Sequence, residues 1–247
     1  NNNITLSAWV NLNAYKPTQN HNSMVMTIQN NYYFYMGIGG ASSTEGINAG
    51  RVIVSNDQVI SGDAVSGYVT QSATAVPLQT WTHIAASLSS TDGVKIYING
   101  VLDKTQSART SNCSASNGYS LIGAYASGAT FEYHFDGTIA QARAYNGVLD
   151  ATQMLQLYNE TTSTINVLNY PTGAGCITAY PLETNADDAG GANDASASNV
   201  TFGHSGFLNG TNTNGLIPSQ VVANPNSGFS IVKYIGNGST SASVGHG

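Results

Sequence analysis

The chain has 247 residues at 25.7 kDa and is 41% hydrophobic, enough to bury a core in one large or two modest domains. Only 8% of residues are charged, the net charge is −6, and the few basic residues are scattered singly. The counterion-release term that drives binding to nucleic acid or to anionic membrane is therefore missing, and no apolar run approaches the roughly 18 to 20 residues of a membrane span. Neither nucleic acid nor membrane is expected as a partner. The opening NNNITLSAWV has neither the basic nor the hydrophobic region of a signal peptide, and a soluble chain is expected. Abundant Asn, Ser, Thr, Tyr and Gly fit strands and turns that work outside the cell.

The first 160 or so residues alternate at the strand period, with turn signals at short intervals, which predicts an all-β sandwich. In ITLSAWV, Ile4, Leu6, Ala8 and Val10 share one face while Thr5, Ser7 and Trp9 share the other. The run NYYFYMG sends about half of Tyr32 to Tyr35 into the core, and Gly37-Ile38-Gly39-Gly40 reads as a turn. In WTHIAASLS, Ile84, Ala86 and Leu88 oppose Trp81, His83 and Ala85. GVKIYINGVLD is a hairpin: Val94, Ile96 and Ile98 face one way, Lys95 and Tyr97 the other, and Asn99-Gly100 supplies two positive-φ residues. The aromatic, Gly/Ser-rich stretch from Ala124 to Tyr133 is expected at a sandwich rim, where loops carry function.

FDGTIAQARAY alternates again, with Ala140, Ala142 and Ala144 on one side and Ile139, Gln141, Arg143 and Tyr145 on the other. One short helix is predicted at 151–158, because Asp150 and Gln153 form a capping box and Met154, Leu155 and Tyr158 recur at helical spacing. A polar, Pro/Gly-punctuated connector follows, with a short strand possible from Ile165 to Leu168. From Cys176 the texture changes to a brief apolar run, an acidic turn around Asp187, Asp188, Asn193 and Asp194, and a strand ending at Val200 to Phe202. A last strand is expected from Phe229 to Ile235 before a Gly/Ser tail. Cys113 and Cys176 permit one disulfide or none.

Several strings, in order, resemble one family. ITLSAWV, WTHIAASLSSTDGVKIYINGVLD, SLIGAY and FDGTIAQARAYNGVLDATQMLQLYN are similar to the strands and terminal helix of a laminin-G-like domain of the concanavalin A-like jelly-roll superfamily, over roughly residues 3 to 159. The resemblance implies a two-sheet antiparallel jelly-roll sandwich over 1–165 and a linker over 166–175. Residues 176–223 resemble the amino-terminal strands of the same domain, which either open a second repeat or complete the first sandwich. The string GFSIVKYIGNGSTSASVGHG, within 224–247, resembles the start of a module of tailed-bacteriophage tail-fibre and appendage proteins. That resemblance implies a virion surface location, other virion proteins as partners and a homo-oligomer, with a trimer as the expected form.

Retaining glycanases of this superfamily need two carboxylates about 5 to 5.5 Å apart, supplied by an E-x-D-x-E type strand. Glu45, Glu132, Glu160 and Glu183 are each isolated, the histidines lack zinc spacing, and no G-x-S-x-G elbow appears. A non-enzymatic module is expected. Sugars stack on exposed aromatic faces, so Trp9, Tyr125, Phe131 and Tyr133 are the candidate ligand contacts for a bacterial surface glycan. Calcium is the one cofactor weighed. Asp187, Asp188, Asn193 and Asp194 form an oxygen-rich turn of the kind that binds hard cations, and the resemblance adds Asp136; a solvated Asx turn without metal is the alternative. The expected function is host attachment or particle assembly as a tail fibre or surface decoration. The alternatives are a secreted or cell-surface bacterial adhesin of tandem repeats, then a polysaccharide-active enzyme.

Overall fold

A computed structural model describes residues 3–17, 22–28, 34–41, 46–55, 69–89, 91–106, 120–127, 130–160, 168–182, 185–196, 230–231 and 242–243. In chain order the elements are β1 (Ile4–Leu12), β2 (Ser23–Ile28), β3 (Phe34–Ile38), β4 (Arg51–Ser55), β5 (Val69–Ala75), β6 (Thr82–Ser89), β7 (Gly93–Ile98) and β8 (Val101–Gln106). They continue with β9 (Leu121–Ile122), β10 (Tyr125–Ser127), β11 (Thr130–Glu132), β12 (Gly137–Tyr145), α1 (Ala151–Tyr158), β13 (Cys176–Tyr180), β14 (Ser230–Ile231) and β15 (Ala242–Ser243). One sheet has the order β13-β12-β1-β6-β7-β8 and the other β14-β9-β2-β3-β4-β5, with a small β10-β11-β15 sheet beside them. Apart from the parallel β14–β9 pair, every ladder is antiparallel.

The core lies between the sheets because alternation points one face of every strand inward. Ile4, Leu6, Ala8 and Val10 of β1 meet Ile84, Ala86 and Leu88 of β6 and Val94 and Ile96 of β7, and Phe34, Met36, Ile38, Val52 and Val54 come from the opposite sheet. The β7–β8 hairpin turns at Asn99 and Gly100, with φ of 50° and 76°, as predicted. Gly100 is also a packing position, since a Cβ there would come within 2.9 Å of Tyr158 Cβ on the helix. At the open side of the sandwich, the Asp103 carboxylate accepts the backbone N–H groups of Ala73 and Thr74, joining β8 to β5.

β12 departs from simple alternation. Ser7 pairs with Arg143 and Trp9 with Ala140, so Gln141 and Ala142 together oppose Ala8 in a bulge, with Gln141 at φ 52°. The extra residue reverses the phase of the strand. Ile139 therefore enters the core with Ala142 and Ala144, while Ala140 packs outside against Trp9 and Trp81. This corrects the uninterrupted alternation expected for that segment.

The outer face of the first sheet is covered by α1 and by Tyr170, Ala174 and Cys176. Asp150 caps the helix, its side chain accepting from Gln153 N while Gln153 reaches back to the Asp150 N–H. The buried helix residues are Met154 and Leu157, and Leu155 is exposed, which corrects the expected apolar set. Beneath the helix the Arg143 guanidinium makes a two-pronged ion pair with Glu160, Nη1 to Oε2 at 2.8 Å and Nη2 to Oε1, and lies over the Tyr170 ring. β13 pairs with β12, placing Cys176–Tyr180 at the edge of the first sheet, and Tyr180, Leu182 and Ala186 join the main core. Of the expected strand from Ile165 to Leu168 only Leu168 is described, in a turn, and the strand ending at 200–202 lies outside the described residues, as does Cys113. Cys176 is a free thiol that donates to Thr178 O.

Candidate functional site

The site is built on the outer face of the second sheet. Phe34, Met36 and Ile38 point into the core, so Tyr35 between them points outward. There it meets Met24, Ile47, Ile53 and Tyr125, with Val69 and Tyr133 packed at the margin. Three tyrosines form a ladder from sheet to surface. Tyr35 contacts Tyr125 edge-on at 5.9 Å, and Tyr125 contacts Tyr133 edge-on at 5.7 Å, a geometry in which a positive ring edge meets a negative ring face. Exposure rises along it, from 1% at Tyr35 and 9% at Tyr125 to a half-buried Tyr133.

Tyr133 is held in the left-handed region, at φ 53°. For a bulky residue this costs roughly 1–2 kcal/mol, and neighbouring backbone bonds enforce it. Met24 N donates to Tyr133 O at 2.8 Å, Phe135 N to Gly123 O at 2.8 Å and Asn13 N to Asp136 O at 2.9 Å. Strain of this kind is maintained where the surrounding structure over-determines it, and it concentrates at ligand sites.

The adjoining loop 46–50 lies against the end of β3 because the residue just after that strand is glycine. A Cβ on Gly39 would come within 2.6 Å of both Asn48 O and Ile47 Cγ2. Gln71 secures the loop, its Oε1 accepting from Asn48 N and Nδ2 and its Nε2 donating to Gly46 O at 2.9 Å. On the other side of Tyr133, Asn13 Nδ2 donates to Asp136 Oδ1 at 3.2 Å. Burial lowers the Lys16 ammonium to about 8, with Asp136 opposing the shift. Burial and the nearby Lys16 lower His134 to about 4, so its ring is neutral at pH 7.

Of the four aromatic candidates, Tyr125 and Tyr133 come together. The other two have packing roles. Phe131 is 4% exposed and belongs to the main core, and Trp9 is 3% exposed beneath the helix, stacked on Tyr158 at 5.5 Å and edge-on to His83 at 5.2 Å. His83 is likewise buried, its Nε2 sharing a 2.9 Å hydrogen bond with Ser7 Oγ, and burial followed by the Arg143 charge lowers it to about 3. The Ser–His contact is buried, with the His83 ring tilted against Tyr158 of the helix at 6.3 Å. Glu160 is committed to Arg143.

The five expected calcium ligands do not form one cage. Asp136 adjoins the start of β12, whereas Asp188 binds Ala179, which pairs with Arg143 seven residues further on, a separation of roughly 20 Å. Asp188 Oδ1 is taken by Thr178 Oγ1 at 2.9 Å and Ala179 N at 2.8 Å, and Asp194 Oδ1 by Asp188 N. Asp187 is exposed and bonded to Asn185, and Asn193 contributes its carbonyl to Tyr180 OH. The donors thus serve as turn-closing acceptors, and among the described residues no group of three or more His, Cys, Asp or Glu side chains is placed to hold a metal. Asp188 Oδ2 is buried without a hydrogen-bond partner, so of the turn's carboxylates it keeps one oxygen uncommitted, and Asp136 lies too far away to share an ion with it.

Sequence reasoning missed three contributors. Tyr35 is the inner rung of the ladder, Gln71 is the loop brace, and Arg51 shares the outer face with Ile53 because Val52 and Val54 take the core face. The strict alternation of Phe34 to Ile38 and of Arg51 to Ser55 carries the signal for the first and last. Gln71 has none, since its partners lie more than 20 positions away.

A family model described as the concanavalin A-like lectin/glucanases superfamily matches residues 1–154, and one described as a domain of unknown function (DUF7483) matches residues 138–247. No curated protein matches the chain. Among solved structures, a "putative carbohydrate binding protein" from Bacteroides ovatus ATCC 8483 superposes with a TM-score of 0.57 at 17% identity, over 77% of this chain and 50% of its own. The chain therefore spans about half the length of that protein. The CBM40 of Ruminococcus gnavus IT-sialidase, bound to alpha2,3 sialyllactose, has a TM-score of 0.48 at 15% identity, over 64% of this chain and 83% of its own. A heptameric SAP-like pentraxin from Limulus polyphemus has a TM-score of 0.41 at 16% identity, over 64% of this chain and 70% of its own. The first of these likenesses shows the shared sandwich fold.

Proposed function

The chain belongs to the concanavalin A-like lectin/glucanases superfamily, and from that membership we propose that it is a non-catalytic glycan-binding sandwich whose contact ring is Tyr133. The observation that carries this reading is Tyr133 itself: half-exposed, clamped at φ 53° and braced from behind by Tyr125 and Tyr35. A preorganised ring offers a flat apolar face to a sugar at little entropic cost, and amide and hydroxyl groups around it suit sugar hydroxyls. The Bacteroides neighbour described as a putative carbohydrate binding protein shares the fold.

The biological setting we propose is a surface appendage of a tailed phage, where weak single-site binding to a bacterial surface glycan is strengthened by repetition on the particle. The likeness of GFSIVKYIGNGSTSASVGHG to phage appendage modules supports it. The test is binding of the full chain to an array of bacterial surface polysaccharides, with Tyr133→Ala beside the wild type. Truncating a central aromatic contact weakens binding about tenfold or more. A wild-type protein that bound no glycan, or a Tyr133→Ala protein that bound equally well, would sink the assignment.

A further inference from the structure

Arg51 stands apart from the other buried guanidinium. Arg143 is met on Nη1 and Nη2 by the Glu160 carboxylate, though its Nε is also buried without an acceptor. At Arg51, by contrast, Nη1 is buried without a hydrogen-bond acceptor, and among the described residues no carboxylate lies within ion-pair distance. The residue is nevertheless placed firmly. Its N–H donates to Asn48 O and its carbonyl accepts from Gly39 N at 2.8 Å, so its backbone is locked between β3 and the 46–50 loop. It opens β4 on the same outer face as Ile53, which belongs to the Tyr35–Tyr125 cluster. A guanidinium stays charged at any physiological pH, and a buried N–H without an acceptor bears its desolvation uncompensated. The fold thus holds a half-buried cation that, unlike Arg143, has no carboxylate partner among the described residues, on the same sheet face as the aromatic cluster.

Resting on the glycan reading above, we propose that Arg51 is the anion-recognising group of this site and that the ligand is an acidic oligosaccharide whose carboxylate, or equivalent sugar-borne oxyanion, pairs with the guanidinium. Planar forked donors match oxyanions two bonds at a time. Tyr133 is bonded to β2, and β3 and β4 follow, so about three strand spacings, roughly 14 Å, separate it from Arg51. A single sugar ring does not bridge that span, so the ligand has several rings, with its neutral part on Tyr133 and its acid on Arg51. The net charge of −6 gives no long-range attraction for polyanions. Recognition of the acid is a short-range contact that sets specificity rather than capture rate.

The test uses the full chain and an array of acidic bacterial polysaccharides, each in native and carboxyl-reduced form, alongside sulfated and neutral polymers. The variants are Arg51→Gln, Arg51→Lys and Tyr133→Ala. Wild type binds acidic forms more tightly than their reduced counterparts. Arg51→Gln loses that preference, with a roughly 10- to 100-fold weaker Kd for the acidic form, while Arg51→Lys keeps part of it. Because Arg51→Gln removes a half-buried charge that has no carboxylate partner, its Tm stays level or rises, whereas a structural arginine would show a fall. Sulfated polymers bound with the same Arg51 dependence also support an oxyanion contact. Equal binding of native and reduced forms, an acid preference that survives Arg51→Gln, or a Tm loss in that variant overturns the proposal. If neutral glycans alone bind, and Tyr133→Ala abolishes it, the acidic ligand is refuted and the glycan site stands; if nothing binds, both fall.

Discussion

Glu160→Gln isolates the contribution of the buried Arg143–Glu160 pair. The side chains are 1% and 4% exposed, and the pair joins β12 to the residue just beyond the helix, whose N–H bonds Leu157 O. Tyr170 lies under the guanidinium, receives the Tyr145 hydroxyl on its carbonyl and donates its own hydroxyl to Gln156 O. The substitution keeps the shape and one acceptor but removes the countercharge, leaving a guanidinium desolvated and unpaired. Breaking a buried pair from one side costs about 3–5 kcal/mol, a large part of the roughly 5–15 kcal/mol that holds a typical domain together. At about 2–4 °C per kcal/mol for a domain of this size, Tm falls by roughly 10 °C. Replacing both partners, Arg143→Met with Glu160→Met, removes the stranded charge and brings stability back to within about 2 kcal/mol of wild type. Urea unfolding at pH 7 followed by tryptophan fluorescence reads this directly, because Trp9 and Trp81 sit in the same layer. A loss below about 1 kcal/mol for Glu160→Gln, or a double variant less stable than the single one, would refute the assignment of a matched buried charge pair.

Acid should destabilise the sandwich before its carboxylates titrate. His83 is held neutral in the fold, lowered from 6.5 to about 3, so the unfolded chain binds the extra proton. Its contribution is intact above about pH 6.5 and declines as pH falls toward 3, about 2 kcal/mol being lost between pH 7.5 and 5, and His134 acts in the same direction. Urea midpoints that stay flat from pH 7.5 to 5 would contradict this, and His83→Asn should flatten the profile. Tyr133→Gly removes both the ring and the backbone strain, so it should abolish glycan binding while leaving Tm within a few degrees; a large Tm loss would mean the ring serves packing. Calcium and EDTA should each leave Tm unchanged to within about 1 °C, since stabilisation by a ligand scales with its occupancy of a folded site, and a calcium-dependent rise would show a cage that the described residues do not form.

Much of the sandwich was legible because its signals are local. The faces of β1, β6 and β7, the Asn99-Gly100 turn and the Asp150–Gln153 cap follow from residues within a few positions of one another. The site was legible in part. Tyr125 and Tyr133 stood out as rim aromatics, but their exposure depends on what packs over them, so Trp9 and Phe131 looked equally eligible until Tyr158 and the core were seen to cover them. The acidic turn gave the right residue types for a cation, yet side-chain composition says nothing of which oxygens backbone N–H groups will claim.

By itself, the order of residues determined the strand periods, the hairpin, the helix and its cap, and with them a two-sheet β architecture, since these depend on neighbours along the chain. Tertiary structure alone decided the bulge at Gln141, the pairing of Cys176–Tyr180 with β12, the Arg143–Glu160 pair and the Tyr35–Tyr125–Tyr133 ladder. Each of these joins groups from different strands or connectors. Long-range pairing is chosen by the combined fit of both sheets and of everything packed on them, and one inserted residue is enough to turn a strand's outward set of side chains into its inward one.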